Sequence, residues 1–132
     1  MDDRRVIDIL RESVPETLAV YRFGSSTRGQ LAAGSDLDYA ILARRPLDAV
    51  ERFELQERLA AALRRDVDLV DVLRASTVMR MQVVSRGLLI FDGDPALRRR
   101  FEDYVFSSYA RLNEERRALL EQIRAEGVIH AR

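Results

Sequence analysis

The 132-residue sequence has no Cys, no Lys and no Trp, and its single His is at position 130. Each absence removes a kind of chemistry. Without Cys there is no disulfide framework, thiolate nucleophile or thiolate-built zinc site, and one His cannot supply an HExxH pair or a multi-histidine metal cage. Without Lys there is neither a Schiff-base amine nor the lysine of a Walker-type phosphate loop. Any catalysis therefore rests on carboxylates, hydroxyls, backbone amides, guanidinium groups and a bound metal. An excess of one charge is missing too: 22 Arg residues balance 22 Asp and Glu residues, for a formal net charge of zero. The Arg residues divide evenly between the two halves of the chain, so no basic footprint for direct nucleic-acid binding is expected. No apolar run is long enough for a bilayer, and the N-terminal MDDRRVIDIL is acidic and mixed rather than a basic leader. The expectation is a soluble, cytoplasmic protein with no membrane partner.

What is present is ordinary globular composition, 47% hydrophobic and 33% charged, with enough chain for one compact domain. The three prolines, Pro15, Pro46 and Pro95, all stand at element boundaries. Val6, Ile7, Ile9 and Leu10 have helical spacing over Asp3 to Ser13. Strands are predicted at Thr17 to Phe23 (TLAVYRF), Leu37 to Leu42 (LDYAIL), Val67 to Val72 and Leu88 to Phe91. A D-x-x-E capping pattern, Asp48 with Glu51, opens a helix to about Arg65, and Ala75 to Arg86 has helical propensity with a less regular stripe. Asp94 as N-cap and Pro95 at the first helical position open a long last helix, about 95–126. Its stripe of Leu97, Phe101, Tyr104, Val105, Ser108 and Leu112 is extended by Leu119 and Ile123. Strands alternating with helices in so short a chain predict a small α/β or α+β sheet with helices packed on it, in a single domain with its core at about 17–92.

Chemistry concentrates after the first strand. Gly24 allows a sharp turn and close approach of a ligand, and the Ser25 and Ser26 amides at the start of a short helix would form an anion cradle. Ser25 adds a hydroxyl, and Arg28 a bidentate cation suited to phosphate. Ten residues (26–35) separate Ser25 from Asp36, in the run Ser35, Asp36, Leu37, Asp38. On a strand Asp36 and Asp38 share a face, with roughly 6–7 Å between Cα atoms. Two carboxylates so placed can share divalent cations about 3.5–4 Å apart, and hard oxygen ligands select Mg²⁺ or Mn²⁺ over zinc. A third carboxylate is expected from VDLVDV. Asp68 and Asp71, three apart, face opposite ways on a regular strand. Asp68 is preferred because its apolar context would make a lone buried acid costly without a cation, with Asp71 nearer the strand end and solvated.

The run GSSTRG, its spacing to SDLD, and the later VDLV strand together resemble the nucleotidyltransferase superfamily that includes DNA polymerase β. The short length is similar to its minimal branch, the MNT antitoxins paired with HEPN-domain ribonuclease toxins. That resemblance implies a small mixed sheet with helices on one side, Mg²⁺ (two ions), ATP as donor, and AMP transfer to a tyrosine hydroxyl of a HEPN partner in a hetero-oligomer. It implies further that Gly24, Ser25, Arg28 and Ser35 hold the nucleotide and that Asp36, Asp38 and Asp68 hold metal and carry the chemistry. Thr27 departs from the Ala frequent in the family and would crowd the turn. The resemblance covers about residues 17–73.

Two other functions stay open: an antitoxin acting by binding and occlusion alone, and a nucleotidyltransferase with a small-molecule acceptor. His130 follows Arg124 by six positions, a spacing similar to HEPN ribonucleases, and is read as coincidence in an Arg-rich chain. Arg98 to Arg100 are read as a solvated face. Phe106 and Tyr109 fall off the main stripe, either as an exposed interface or as a wider buried face.

Overall fold

The acidic N-terminus becomes helix α1, Asp2–Ser13, with Asp2 and Asp3 in the first turn, where carboxylates complement the helix dipole. Val6 and Leu10 are fully buried. Asp3 also fastens the helix across two strands, accepting from the Tyr39 hydroxyl at 2.9 Å and from Arg22 at 2.6 Å. The computed structural model describes residues 2–24 and 37–130. Ser25, Ser26, Thr27, Arg28, Ser35 and Asp36 lie outside them.

The strands are β1 (Thr17–Phe23), β2 (Leu37–Ala43), β3 (Val67–Asp71) and β4 (Leu88–Asp92). They form one sheet in the order β3-β2-β1-β4. β1 runs antiparallel to both its neighbours, whereas β2 and β3 are parallel, so the sheet is mixed as expected. A parallel pair needs a crossover, supplied by α2, Ala49–Leu63. Its N-cap is the predicted Asp48, which accepts from the Glu51 amide at 3.0 Å. Helix α3 spans Thr77–Arg86 rather than starting at Ala75, because Ser76 is its cap and accepts from the Met79 amide. Asp94 caps α4, Pro95–His130, through the Leu97 amide.

The expectation of helices on one side of the sheet is corrected, since both faces are covered. Val20, Leu37, Tyr39, Ile41 and Leu69 pack with α1 and α2. Ala19, Tyr21, Ala40, Leu42 and Val72 pack with Val83 of α3 and with Leu97 and Phe101 of α4. The physical reason is visible in β1 and β2, whose near-continuous apolar runs need cover on both sides.

The stripe predicted for α4 is also corrected. Val105 is its last fully buried residue, while Tyr104 is 58% exposed and Leu119 and Ile123 are more than half exposed. Only the first turns of the helix have a sheet beneath them. Phe106 is exposed and Tyr109 half-buried, dividing the two alternatives between them. Arg99 and Arg100 are exposed, but Arg98 is not: it pairs with Asp92 at 3.0 Å and Glu102 at 2.7 Å, its side chain only 13% exposed. Glu102 in turn accepts from the Tyr21 hydroxyl at 2.8 Å. Among the described residues, no helix is long and apolar enough to cross a membrane.

Candidate active site

Strand alternation turns Asp38 to the same face as Ala40 and Leu42, the face shared with α3 and α4. Asp38 stands opposite Phe23 in the antiparallel register with β1, and beside Asp68 in the parallel register with β3. Equal register in a parallel pair puts both side chains on one side of the sheet, on strands about 4.8 Å apart. Two of the three predicted acids are therefore neighbours. Asp36 lies outside the described residues, and among those described no cluster of three or more His, Cys, Asp or Glu is assembled.

Gly24 ends β1 with φ +77°, a left-handed conformation that L side chains rarely adopt. A Cβ there would overlap the Asp38 carboxylate. Glycine thus allows the turn predicted for it, and the group packed against it in the structure is the side chain of Asp38.

The reasons given for the third acid are reversed. Asp68 is exposed, while Val67 and Leu69 beside it are buried on the opposite face. Its apolar sequence context comes from alternation, not from burial of the acid itself. Asp71, expected to be solvated, is only 3% exposed. One of its oxygens accepts from the Leu47 amide at 2.7 Å and the other from the Leu73 amide at 3.0 Å. Its backbone carbonyl accepts from the amides of Arg74 and Ala75. Asp71 therefore ties the approach to α2 to the turn after β3. The signal was an Asp at a strand end with a free amide two residues on, the Asx-turn pattern.

A cavity of about 440 Å³ is lined by Asp38 and Asp68 together with Phe23, Val70, Arg52 and Arg74. That volume lies within the roughly 300–1,000 Å³ of small-molecule sites. Sequence reasoning missed both arginines. Arg52 of α2 reaches the outer edge of β3, donating to the Leu69 carbonyl at 3.0 Å and to Gln56 at 3.1 Å, while Gln56 accepts from the Leu69 amide at 2.9 Å. Side chains of α2 thereby cover an edge strand that would otherwise present open backbone groups. Arg74 is fixed through Nε to the Leu47 carbonyl.

The donor set suits a hard divalent cation. Asp38 and Asp68 bring like charges side by side, which a cation relieves. The buried tyrosines are committed elsewhere. Burial, and then hydrogen bonding to Glu102, raises the Tyr21 hydroxyl above the usual phenol range; burial and Asp3 do the same for Tyr39.

Comparison with known proteins places the chain in a family. The family model described as polymerase beta nucleotidyltransferase matches residues 4–96. The protein adenylyltransferase MntA of Shewanella oneidensis is 38% identical over 95% of this chain and 89% of its own. A crystal structure of a toxin-antitoxin with AMP-PNP contains a chain that superposes with a TM-score of 0.85 at 37% identity, covering 93% of this chain and 98% of the other. A second, of a tri-AMPylated Shewanella oneidensis HEPN toxin in complex with MNT antitoxin, gives a TM-score of 0.79 at 36% identity, covering 92% and 95%. With its mixed sheet, its Gly24 turn and its paired Asp38 and Asp68, this chain belongs to the polymerase beta nucleotidyltransferase family.

Proposed function

We propose that this protein is an antitoxin that transfers AMP from ATP to a tyrosine hydroxyl of a HEPN-domain toxin in the cytoplasm. The observation that carries the reading is Asp38 beside Asp68 at a nucleotide-sized cavity, with Gly24 seated against Asp38. It is supported by near full-length similarity to a protein adenylyltransferase and to chains crystallised with AMP-PNP and with a tri-AMPylated toxin.

In this reading the backbone amides after Gly24, with Ser25, Arg28 and Ser35, bind the phosphates of ATP. Asp36, Asp38 and Asp68 would hold two magnesium ions. When bound, such ions neutralise charge on the attacking and leaving oxygens of an in-line displacement. The work of the chain is orientation. Gly24 itself sits against Asp38, and the β2/β3 register puts Asp68 one strand further out, where an acceptor hydroxyl can give up its proton. Attack on the α-phosphorus forms the new P–O bond as the bond to the α–β bridging oxygen breaks, and pyrophosphate leaves.

The test is the intact mass of a HEPN-domain partner incubated with the protein, ATP and magnesium. Added adenylates are expected, and Asp38→Ala should abolish them with the complex still formed. A folded, bound pair that gains no adenylate overturns the reading. Occlusion without transfer is the second possibility, favoured by exposed Tyr104, Phe106, Leu119 and Leu120 on α4. It predicts that the double variant Asp36→Ala with Asp38→Ala still protects cells.

A further inference from the structure

Strand order gives the cavity a direction. Gly24 directly follows β1, Asp38 lies on β2 and Asp68 on β3, so Gly24, where the proposed phosphate-binding residues begin, is on one side of the acids and the outer edge of β3 is on the other. In-line displacement requires the leaving pyrophosphate and the attacking hydroxyl on opposite sides of the α-phosphorus. The β3 edge is therefore the acceptor side. Two cations line the cavity there, Arg52 and Arg74. Each is anchored through one nitrogen: Arg52 through Nη1 to the carbonyl of the residue after Asp68, Arg74 through Nε to Leu47. Among the described residues neither forms an ion pair, and the other guanidinium nitrogens of both make no hydrogen bond.

A neutral tyrosine hydroxyl has no use for two forked cations. An acceptor that already carries AMP does, because it brings a phosphodiester anion, and Arg is suited to bind it in two-pronged fashion. Resting on the adenylyltransferase reading above, we infer that Arg52 and Arg74 bind the phosphodiester of an AMP already attached to the acceptor. They thereby present its ribose hydroxyl for the next transfer. That hydroxyl oxygen forms the new bond to the α-phosphorus of ATP, pyrophosphate leaves with the electron pair of the broken bond, and the proton passes to Asp68 and then to solvent. Arg52 and Arg74 are positioning residues in this scheme, and they set how many adenylates accumulate.

The experiment follows the adenylate ladder on a HEPN-domain partner by intact mass over time, with wild-type, Arg52→Gln and Arg74→Gln proteins. The ratio of second-transfer to first-transfer rate should fall about tenfold or more in each variant, the scale of a lost charge-assisted hydrogen bond. An unchanged ratio overturns the inference. So does an equal fall at every step, which would assign the arginines to ATP, and so does mapping of the adenylates to separate residues. A wild-type protein that adds no adenylate overturns the underlying reading instead. Arg52 also braces β3, so melting midpoints are measured in parallel. Arg74→Gln, on an exposed side chain, keeps the test decisive should Arg52→Gln unfold.

Discussion

Gly24 and Asp71 show how single residues hold the site. At Gly24 both the positive φ and the overlap of a Cβ with the Asp38 carboxylate oppose any side chain. Gly24→Ala should cost about 1–2 kcal/mol of stability from the backbone conformation alone. It should also displace Asp38 and lower adenylate transfer more than tenfold; a urea titration and a mass-based transfer assay read the two effects separately. Asp71 acts at one remove from the cavity. Asp71→Ala leaves the amides of Leu47 and Leu73 without their acceptor, so a loss of about 2–3 kcal/mol is expected, measured as a lower melting midpoint. Asp71→Asn retains one carbonyl oxygen and should lose less.

Among the elements, α4 divides sharply. Its first turns are bound to the sheet through Leu97, Phe101 and the Asp92–Arg98–Glu102–Tyr21 network. From residue 113 to 127 every residue is exposed. Truncation after Leu112 should therefore leave the melting midpoint of the isolated protein within about 2 °C, because it removes little buried area. Arg98→Ala, at the other end, leaves Asp92 and Glu102 without their shared cation and should lower the midpoint by several times as much. The segment leading into α2 depends on charge: Arg45 bonds Glu51 through two nitrogens and Glu16 through a third. These hydrogen bonds hold the Glu51 and Glu16 carboxyls below the ordinary value of 4.5. A lowered folded-state pKa means that this stabilisation is complete above the ordinary pKa and is lost as pH falls through the lowered one. The gap in melting midpoint between wild type and Arg45→Gln should be widest near neutrality and narrow as pH falls from the ordinary carboxyl value through the lowered ones.

At the scale of the whole molecule, the mixed sheet does two jobs with its two faces. One face is sealed by α1 and α2 and carries the core around Tyr39, Ile41 and Leu69. The other is covered by α3 and α4, leaving the β2/β3 end to form the cavity where Asp38 and Asp68 meet. A site on a rigid strand pair, held from behind by a close-packed core, keeps its carboxylates in register without help from ligand. Net charge of zero fits the proposed function, in which the anion is a nucleotide bound locally rather than a polymer held by a charged surface.

Local order was legible in the sequence because each element rests on short-range chemistry. Apolar spacing gave α1 and the strands, and the caps Asp48 and Asp94 and the turn at Gly24 lie within a few residues of the groups they serve. Strand alternation paired Asp36 with Asp38, of which Asp36 lies outside the described residues, whereas the neighbourhood of Asp38 and Asp68 comes from the β2/β3 register. Only the tertiary structure decided which face each acid meets. Asp68 sits among Val67, Leu69 and Val70 in sequence yet faces outward, and Asp71 at the strand end turns inward, because burial depends on what packs against each face. Arg52 and Arg74 were invisible for the same reason: they reach the cavity across a crossover and a turn, with Leu69 and Leu47 as their anchors. What the sequence by itself determined was the inventory of chemistry, three carboxylates and guanidinium groups with no Lys or Cys. The fold alone set Asp38 and Asp68 side by side on adjacent parallel strands and brought Arg52 of α2 and Arg74 of the turn after β3 to the same cavity, because which groups share a face and a cavity depends on how the elements pack.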